Sequence, residues 1–408
     1  MTQQIVIIGS ALSGNKGAAS MLEAALAGLS ERMPEARFTL LSMYPEEDAA
    51  LNVYPALEVV DARPITLGLT INSCALAYAV LPPLRPLLRR QPAIAALAQA
   101  DVLLDQGGIT FADGREKFLV YNVASILPAL FMGVPVFKCA QAMGSFTSAI
   151  NRAAARVFLP RVAQIITRGA ITHGYVSKLG LANIEAGADL AFTLDHSAAS
   201  VPQHLELPPG EGVLVGLAPS VVMQKKIEAA GRDYVRETAA FADYCAARGH
   251  RIVLIPHSVR TGTDKVHNND LPLCRAVHAA MNNEARAATA FLDREVDARS
   301  LRQLIAACDI FVTSRFHAMV SGLATATPTL VIGWSHKYEE VLEMFGAQRW
   351  ALAHADYSPQ RLEERFEELL AERAAVADQL EARLPEVRAK AAVQLDRITA
   401  IVTALCDQ

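Results

Sequence analysis

Aromatic residues are scarce in this 408-residue chain, at 6% with two tryptophans, so its cores must be built from aliphatic and alanine side chains. Closely spaced cysteines are lacking as well. Cys74, Cys139, Cys245, Cys274, Cys308 and Cys406 are scattered without a CxxC pair, which excludes the disulfide framework of a small secreted domain and the paired ligands of a zinc site. They read as small buried hydrophobes in a reducing compartment. Neither charge dominates, since 38 basic against 42 acidic residues leave a net charge of −4. That balance argues against a nucleic-acid binder, and 52% hydrophobic residues exclude a disordered chain. The opening MTQQIVIIGS has no basic region followed by a long apolar run, so no signal peptide is expected. No short-period repeat, metal-ligand spacing or G-x-S-x-G elbow occurs, which leaves solenoids, metal centres and serine hydrolases without support.

What is present is unevenly distributed. Residues 1–180 carry 15 Lys and Arg against 12 Asp and Glu, whereas residues 181–408 carry 23 against 30. No acid occurs between Glu116 and Glu185, yet Lys117, Lys138, Arg152, Arg156, Arg161, Arg168 and Lys178 fall there. Such a stretch is either a positive field for phosphate or carboxylate groups or a set of solvated helix faces.

Two uncharged runs, 64–84 and 118–137, reach the roughly 20 residues needed to span a bilayer. The second is broken by Pro128, Gly133 and Pro135 and reads as a helix followed by a buried strand. The first ends in Pro82-Pro83 and is followed by Arg85, Arg89 and Arg90. Residues 64–90 therefore suit either peripheral contact with an anionic membrane surface or a buried helix with a basic exit. A cytoplasmic protein, working at the inner face of the membrane in the first case, is expected.

Apolar runs alternate with helix-length segments throughout. Strands are predicted at 4–8, 38–41, 57–60, 102–104, 134–137 and 164–167, with a helix over 17–33. After the Pro/Gly-rich segment Leu205–Gly212 the pattern restarts, with strands at 213–217, 251–255, 289–292, 310–313 and 329–332. Helices are predicted over 225–248, 271–281, 299–308 and 337–345, and two charged helices separated at Pro385 over 359–408. This is the α/β pattern of parallel strands covered on both faces. The expected organisation is an N-terminal Rossmann-like domain over 1–205, a C-terminal one over 206–356, and helices over 357–408 packing back on the body. Two doubly wound domains of this kind place a ligand cleft at the carboxyl ends of their strands.

The loops after the strands are where chemistry is sought. Gly9–Gly17 has nearly P-loop spacing, but Asn15 stands where that motif wants Lys, and it is not G-x-G-x-x-G. A nucleotide triphosphatase or NAD dehydrogenase is disfavoured. Asp105-Gln106-Gly107-Gly108 marks close approach of the backbone to something, and 110–117 reads as a mobile polar loop. Arg168, at a strand–helix junction, is either a fork for a carboxylate or phosphate or a partner for a helix end. The sharpest group is Ser314-Arg315-Phe316-His317, where a permanent cation and a near-neutral proton donor sit two residues apart. Gly333-Trp334-Ser335-His336-Lys337 follows one strand later, and His257-Ser258 supplies another strand-end histidine.

Together these segments resemble the polysaccharide pyruvyl transferase family over roughly residues 5–350. The carriers are Asn15-Lys16-Gly17, Asp105–Gly108, Arg168, Ser177–Gly180, Ala188–Phe192, Ile255–Ser258, Asp309, Ser314–His317, Thr327-Pro328 and Lys337. Where the family often has Asp after the N-x-G glycine, this chain has Ala18. The resemblance implies a GT-B-like fold and transfer of pyruvate from phosphoenolpyruvate to a sugar diol as a cyclic ketal, with no cofactor. The acceptor it implies is a lipid-linked or nucleotide-linked glycan. On this reading His317 and Arg315 are catalytic, with His317 the general acid, the first domain is the acceptor side and the second the donor side. Arg168, Lys337, Ser314, Asn15, Gly17, Gln106, Gly107, Gly108, His257 and His336 bind substrate, and no metal is held. The alternatives are a GT-B nucleotide-sugar glycosyltransferase and a non-catalytic glycan- or phosphate-binding protein.

Overall fold

The computed structural model describes residues 2–260, 268–333 and 336–406. The apolar runs fold into two parallel sheets, because strands buried on both faces need no polar alternation. In the first, β1 (Gln4–Ile8), β2 (Arg37–Ser42), β3 (Leu57–Asp61), β4 (Val102–Asp105), β5 (Ile109–Ala112), β6 (Val136–Gly144), β7 (Gln164–Thr167) and β8 (Ile184–Ala186) take the order β3-β2-β1-β4-β6-β7-β8, with β5 added on β6. In the second, β9 (Leu214–Ala218), β10 (Arg251–Leu254), β11 (Thr289–Phe291), β12 (Ile310–Thr313), β13 (Thr329–Gly333) and β14 (Ala351–Ala353) take the order β11-β10-β9-β12-β13-β14. Both are doubly wound Rossmann-like orders, with the direction of winding reversing between β1 and β4 and between β9 and β12.

By internal contacts the chain divides into two units that are not continuous in sequence. Unit 1 comprises Met1–Ser13, Ala18–Leu194 and Arg388–Gln408; unit 2 comprises Gly14–Gly17 and Asp195–Val387. The long helix Pro359–Cys406 thus contributes to both units. Within unit 1, its residue Gln394 is fully buried, accepting the Ala140 N–H at 2.7 Å and donating to the Ala188 carbonyl at 2.8 Å. Gly28 leaves room for the Leu395 side chain, whose Cδ1 would lie 2.4 Å from a Cβ at that position.

Several elements differ from the sequence expectation, each for a local reason. Two helices separated at Pro385 are replaced by one. Proline removes a helix hydrogen bond, but burial of Leu384, Val387 and Ala391 on either side holds the helix through it. The helix expected over 225–248 is two, Val221–Ala229 and Tyr234–Ala246, interrupted where Gly231 takes φ +75°. The strand expected over 134–137 runs on to Gly144, because Lys138 is buried against Asp105 instead of ending it. The loop expected over 110–117 begins as strand β5, with Phe111 fully buried, and ends in the 3-10 turn Glu116–Phe118, which leaves only Asp113–Arg115 irregular.

Residues 64–90 are neither a membrane span nor a wholly buried helix. Thr66–Ile71 forms a π-helical turn that runs into the helix Asn72–Val80. Leu67, Ile71, Ala75 and Tyr78 enter the unit 1 core, while Ile65, Leu69, Leu76 and Val80 on the other side are exposed. Among the described residues, no helix is long and apolar enough to cross a membrane.

Candidate active site

In unit 2 the turn after β12 is built around Ser314. Its hydroxyl donates to Ser220 Oγ at 2.9 Å and lies 3.3 Å from the Tyr234 hydroxyl, and its carbonyl accepts from the Tyr338 hydroxyl at 3.0 Å. Ser220 also caps the helix Val221–Ala229, accepting the Met223 N–H. Ser314 is only 2% exposed, so it ties the ends of β9 and β12 together at the point where the sheet reverses its winding.

Arg315 projects next. Nε donates to Asp270 Oδ2 at 2.7 Å, Nη2 to Asp270 Oδ1 at 2.6 Å, and Nη1 to Asn268 Oδ1 at 2.7 Å. Asp270 is fully buried and also accepts the backbone N–H groups of Val221 and Ser258. The fork-on-fork pair fixes the guanidinium plane. Five N–H groups belong to a guanidinium, and these contacts engage three of them. Neither Asp270 nor Asn268 carries a sequence signal beyond preceding the helix Leu271–Ala280.

His317 follows in the first turn of the helix Phe316–Ala324. Its ring meets the edge of Phe316 with centroids 5.0 Å apart at 85°. On that same Phe316 lie the Lys337 ammonium, 4.7 Å from the centroid, and the Tyr338 ring, 5.5 Å away at 82°. Lys337 and His336 open the helix His336–Phe345, whereas Trp334 and Ser335 lie outside the described residues. The side chain of His336 is also outside them.

The segment Gly14–Gly17 joins this group in unit 2, though it follows the first strand of unit 1. Asn15 bridges Ser258 in antiparallel fashion, the Val259 N–H donates to the Gly14 carbonyl at 3.0 Å, and the Lys16 N–H reaches the His257 carbonyl at 3.4 Å. Asn15 Oδ1 accepts the Gly17 N–H at 3.1 Å, closing the turn that starts the helix Lys16–Arg32. Gly17 then passes so close to His317 that a Cβ would stand 2.2 Å from Cγ and Nδ1 of the imidazole. The glycine of the N-x-G motif is thereby explained by its contact with a histidine 300 residues away.

The N–H groups of this loop do bind anions, but the anions belong to the protein. In unit 1 Leu12 and Ser13 donate to Asp48 Oδ1 at 2.9 and 2.8 Å. In unit 2 Gly14 donates to Glu295 Oε1 at 3.0 Å, and Lys16 Nζ reaches the same oxygen at 2.6 Å. Asp48 and Glu295 are partners that no motif announced. His257 is 2% exposed. Burial pushes its pKa well below the usual histidine range, and the positive groups of His317, Arg315, Arg302 and Lys16 push the same way.

The other predicted residues that the structure describes belong to unit 1 and gather around the reversal between β1 and β4. Asp105 accepts the Gly107 N–H at 2.9 Å and pairs with the buried Lys138. Gln106 is buried, its amide on the Met21 carbonyl at 3.3 Å. The close approach signalled by Gly107 is to Gly9, where φ is +82° and a Cβ would lie 2.7 Å from Gly107 N. Arg168 is 1% exposed; its Nε lies 3.3 Å from Asp189 Oδ2, and Nε and Nη2 both donate to the Ala140 carbonyl. A Cβ added at Gly108 would stand 3.5 Å from its Nη2, so the arginine borders that turn.

Solved structures share this architecture. The UDP-GlcNAc 2-epimerase from Neisseria meningitidis bound to UDP-GlcNAc superposes with a TM-score of 0.60 at 10% identity, covering 98% of this chain and 100% of that one. Anabaena Alr3699/HepE in complex with UDP and glucose gives 0.55 at 12% identity, covering 98% and 100%. At such identities the likeness establishes the fold, that of GT-B glycosyltransferases and sugar-nucleotide epimerases. In sequence the chain is similar to the amylovoran biosynthesis protein AmsJ of Erwinia amylovora, 21% identical over 267 residues. That match spans 62% of each protein, less than two thirds of the relative's length. Residues 15–336 match the polysaccharide pyruvyl transferase family, a span that begins in the Asn15-Lys16-Gly17 turn and contains Arg315 and His317, and the chain belongs to that family.

Proposed function

We propose that the protein transfers pyruvate from phosphoenolpyruvate to two hydroxyls of a glycan or glycan precursor, forming a cyclic ketal. The observation that carries this reading is the seating of His317 between the Gly17 backbone and Phe316, in the same unit as Arg315 and Lys337. A general acid must be held in one orientation to deliver a proton to one atom, and such placement contributes roughly 10²–10⁴-fold.

The donor has a phosphate and a carboxylate on one carbon of an enol, and its methylene carbon must receive a proton. His317 supplies that proton, which makes the neighbouring carbon electrophilic, and one sugar hydroxyl adds there. The carbon–oxygen bond to phosphate then breaks, the oxocarbenium-like centre takes the second hydroxyl, and the two hydroxyl protons are lost. Donor and diol become ketal and inorganic phosphate, with no change of oxidation state. Arg315 presents its remaining N–H groups to the anionic donor in a plane fixed by Asp270, and Lys337 adds a second cation. Asn15 and Gly17 set the imidazole, His257 supports the Lys16 turn through its carbonyl, and Ser314 fixes the strand end. In unit 1, Arg168 with Asp189 positions the Gly107-Gly108 turn, and Gln106 secures it to the first helix.

Phosphate release from phosphoenolpyruvate, with mass spectrometry of candidate glycans for the ketal, tests the reaction. His317→Ala and Arg315→Ala are expected to abolish both signals, and undiminished release in these variants overturns the site. Thermal protection by phosphoenolpyruvate but not by UDP- or GDP-sugars separates pyruvyl transfer from nucleotide-sugar transfer. Binding without turnover on any acceptor identifies a non-catalytic glycan-binding protein.

A further inference from the structure

Residues 64–90 of unit 1 expose apolar side chains and carry no acid, to a degree the reaction does not require. Ile65 is 77% exposed, Leu69 68%, Val80 63% and Leu87 56%, with Leu76, Leu81 and Leu84 each more than 40% exposed. These residues share one continuous segment, the π-helical turn, the helix Asn72–Val80 and the short turns at Pro82–Leu84 and Arg85–Leu88. The neighbouring helix Leu119–Ala124, tied to it by Asn72 Nδ2 on the Ala124 carbonyl at 3.1 Å, adds Val120 at 80% exposure. Isolated exposed leucines need no explanation, but a contiguous group of this size marks an interaction surface.

The charges beside it identify the partner. No acid occurs between Asp61 and Asp101, while Arg85, Arg89 and Arg90 lie at the end of the apolar segment. Arg63, at its start, is neutralised by Glu46 and Asp61. The other three arginines form no ion pair among the described residues. Two of them are held in place: Arg85 Nε donates to the Tyr78 carbonyl at 3.0 Å, and Arg89 Nε and Nη2 reach the Tyr78 hydroxyl at 3.2 and 2.8 Å. Both guanidinium carbons lie over the same ring, 5.0 and 5.7 Å from its centroid. Tyr78 itself is buried, so a core residue anchors a cationic rim beside exposed leucine and valine. Self-association through this face would bring six like charges together, whereas a lipid surface supplies both an apolar layer and phosphate groups.

We infer that residues 64–90 dock unit 1 on an anionic membrane surface, the aliphatic side chains entering the headgroup boundary and Arg85, Arg89 and Arg90 meeting lipid phosphates. This goes beyond the proposed reaction and does not depend on it, since vesicle binding is read without turnover.

The test is co-sedimentation of the full chain with vesicles of phosphatidylcholine alone and of phosphatidylcholine with 30% phosphatidylglycerol. Binding is expected only to the anionic vesicles, and it weakens as salt is raised. The triple variant Leu69→Ser, Val80→Ser, Leu87→Ser retains the wild-type circular dichroism and loses binding, because all three side chains are exposed. Replacing arginines by glutamine lowers partitioning by about fivefold for each one removed. Absence of sedimentation with either vesicle overturns the inference, as does binding that neither set of substitutions changes. So does equal binding to both vesicles, or a wild-type dimer by light scattering that the serine variant converts to monomer.

Discussion

Gly17 and His317 touch although 300 residues separate them, the imidazole occupying the space that any side chain at position 17 would fill. Because Cγ and Nδ1 of the ring are the atoms met, a methyl group displaces the ring as a whole. Displacement of about 1 Å in a catalytic group costs on the order of 10²-fold in rate. Gly17→Ala is therefore expected to lower pyruvyl transfer by about that factor while phosphoenolpyruvate binding, read by thermal shift, is retained. Wild-type turnover in this variant removes His317 from the chemistry.

Asp270 and Arg315 form a pair in which the carboxylate is fully buried and the guanidinium side chain is 12% exposed. Breaking a buried pair typically costs 3–5 kcal/mol because one charge is left uncompensated. The arginine's partial exposure puts Asp270→Ala at the lower end, about 3 kcal/mol by urea denaturation. Arg315→Lys keeps the charge but cannot span both carboxylate oxygens. It is expected to raise KM for the donor more than it lowers stability, and a double-mutant cycle with Asp270→Asn measures the coupling.

Acid sensitivity follows from His257. Its pKa in the folded state lies well below the unfolded value of about 6.5. As pH falls below about 6.5 the unfolded chain takes up a proton that the folded one excludes, so stability declines toward acid. One such group gives a slope of at most about 1.4 kcal/mol per pH unit. His250 and His278 are shifted in the same direction by burial and add to the slope. His257→Gln is expected to flatten the denaturation profile between pH 6.5 and 5, and an unchanged slope refutes the assignment.

Gln394 fills a polar position inside unit 1. Gln394→Ala strands the Ala140 N–H and the Ala188 carbonyl, and a buried orphaned group costs roughly 1–3 kcal/mol. A fall of that size in unfolding free energy is expected, with Gln394→Glu separating shape from hydrogen bonding, since a carboxylate accepts from Ala140 but donates nothing to Ala188.

Much of this architecture was legible because parallel strands are short apolar runs. Gln164–Thr167 and Ile310–Thr313 are observed with the bounds their composition suggests. β5, β8 and β14 escaped because three or four residues at a sheet edge carry too little pattern. Gly231 could have divided the helix expected over 225–248, whereas continuity through Pro385 depends on packing that no local rule contains. At the site, strand-end placement pointed to Ser314, Arg315 and His317. Asp270, Glu295 and Asp48 stayed invisible, because a carboxylate before, after or within a helix acquires such a partner only when segments distant in sequence are brought together. The assignment of Gly14–Gly17 to unit 2 is of the same kind.

The discontinuity of unit 1 constrains how the protein is made. Its parallel sheet is complete in sequence by Ala186, yet the Ala140 N–H and the Ala188 carbonyl must wait for Gln394, more than 200 residues later, for the partner they have in the fold. A ribosome therefore releases unit 2 sequence in full while unit 1 still has an open seam beside Ala140 and Ala188. Cutting the gene at the apparent linker near residue 205 leaves that seam permanently open. Supplying residues 388–408 as a separate peptide is the way to close it.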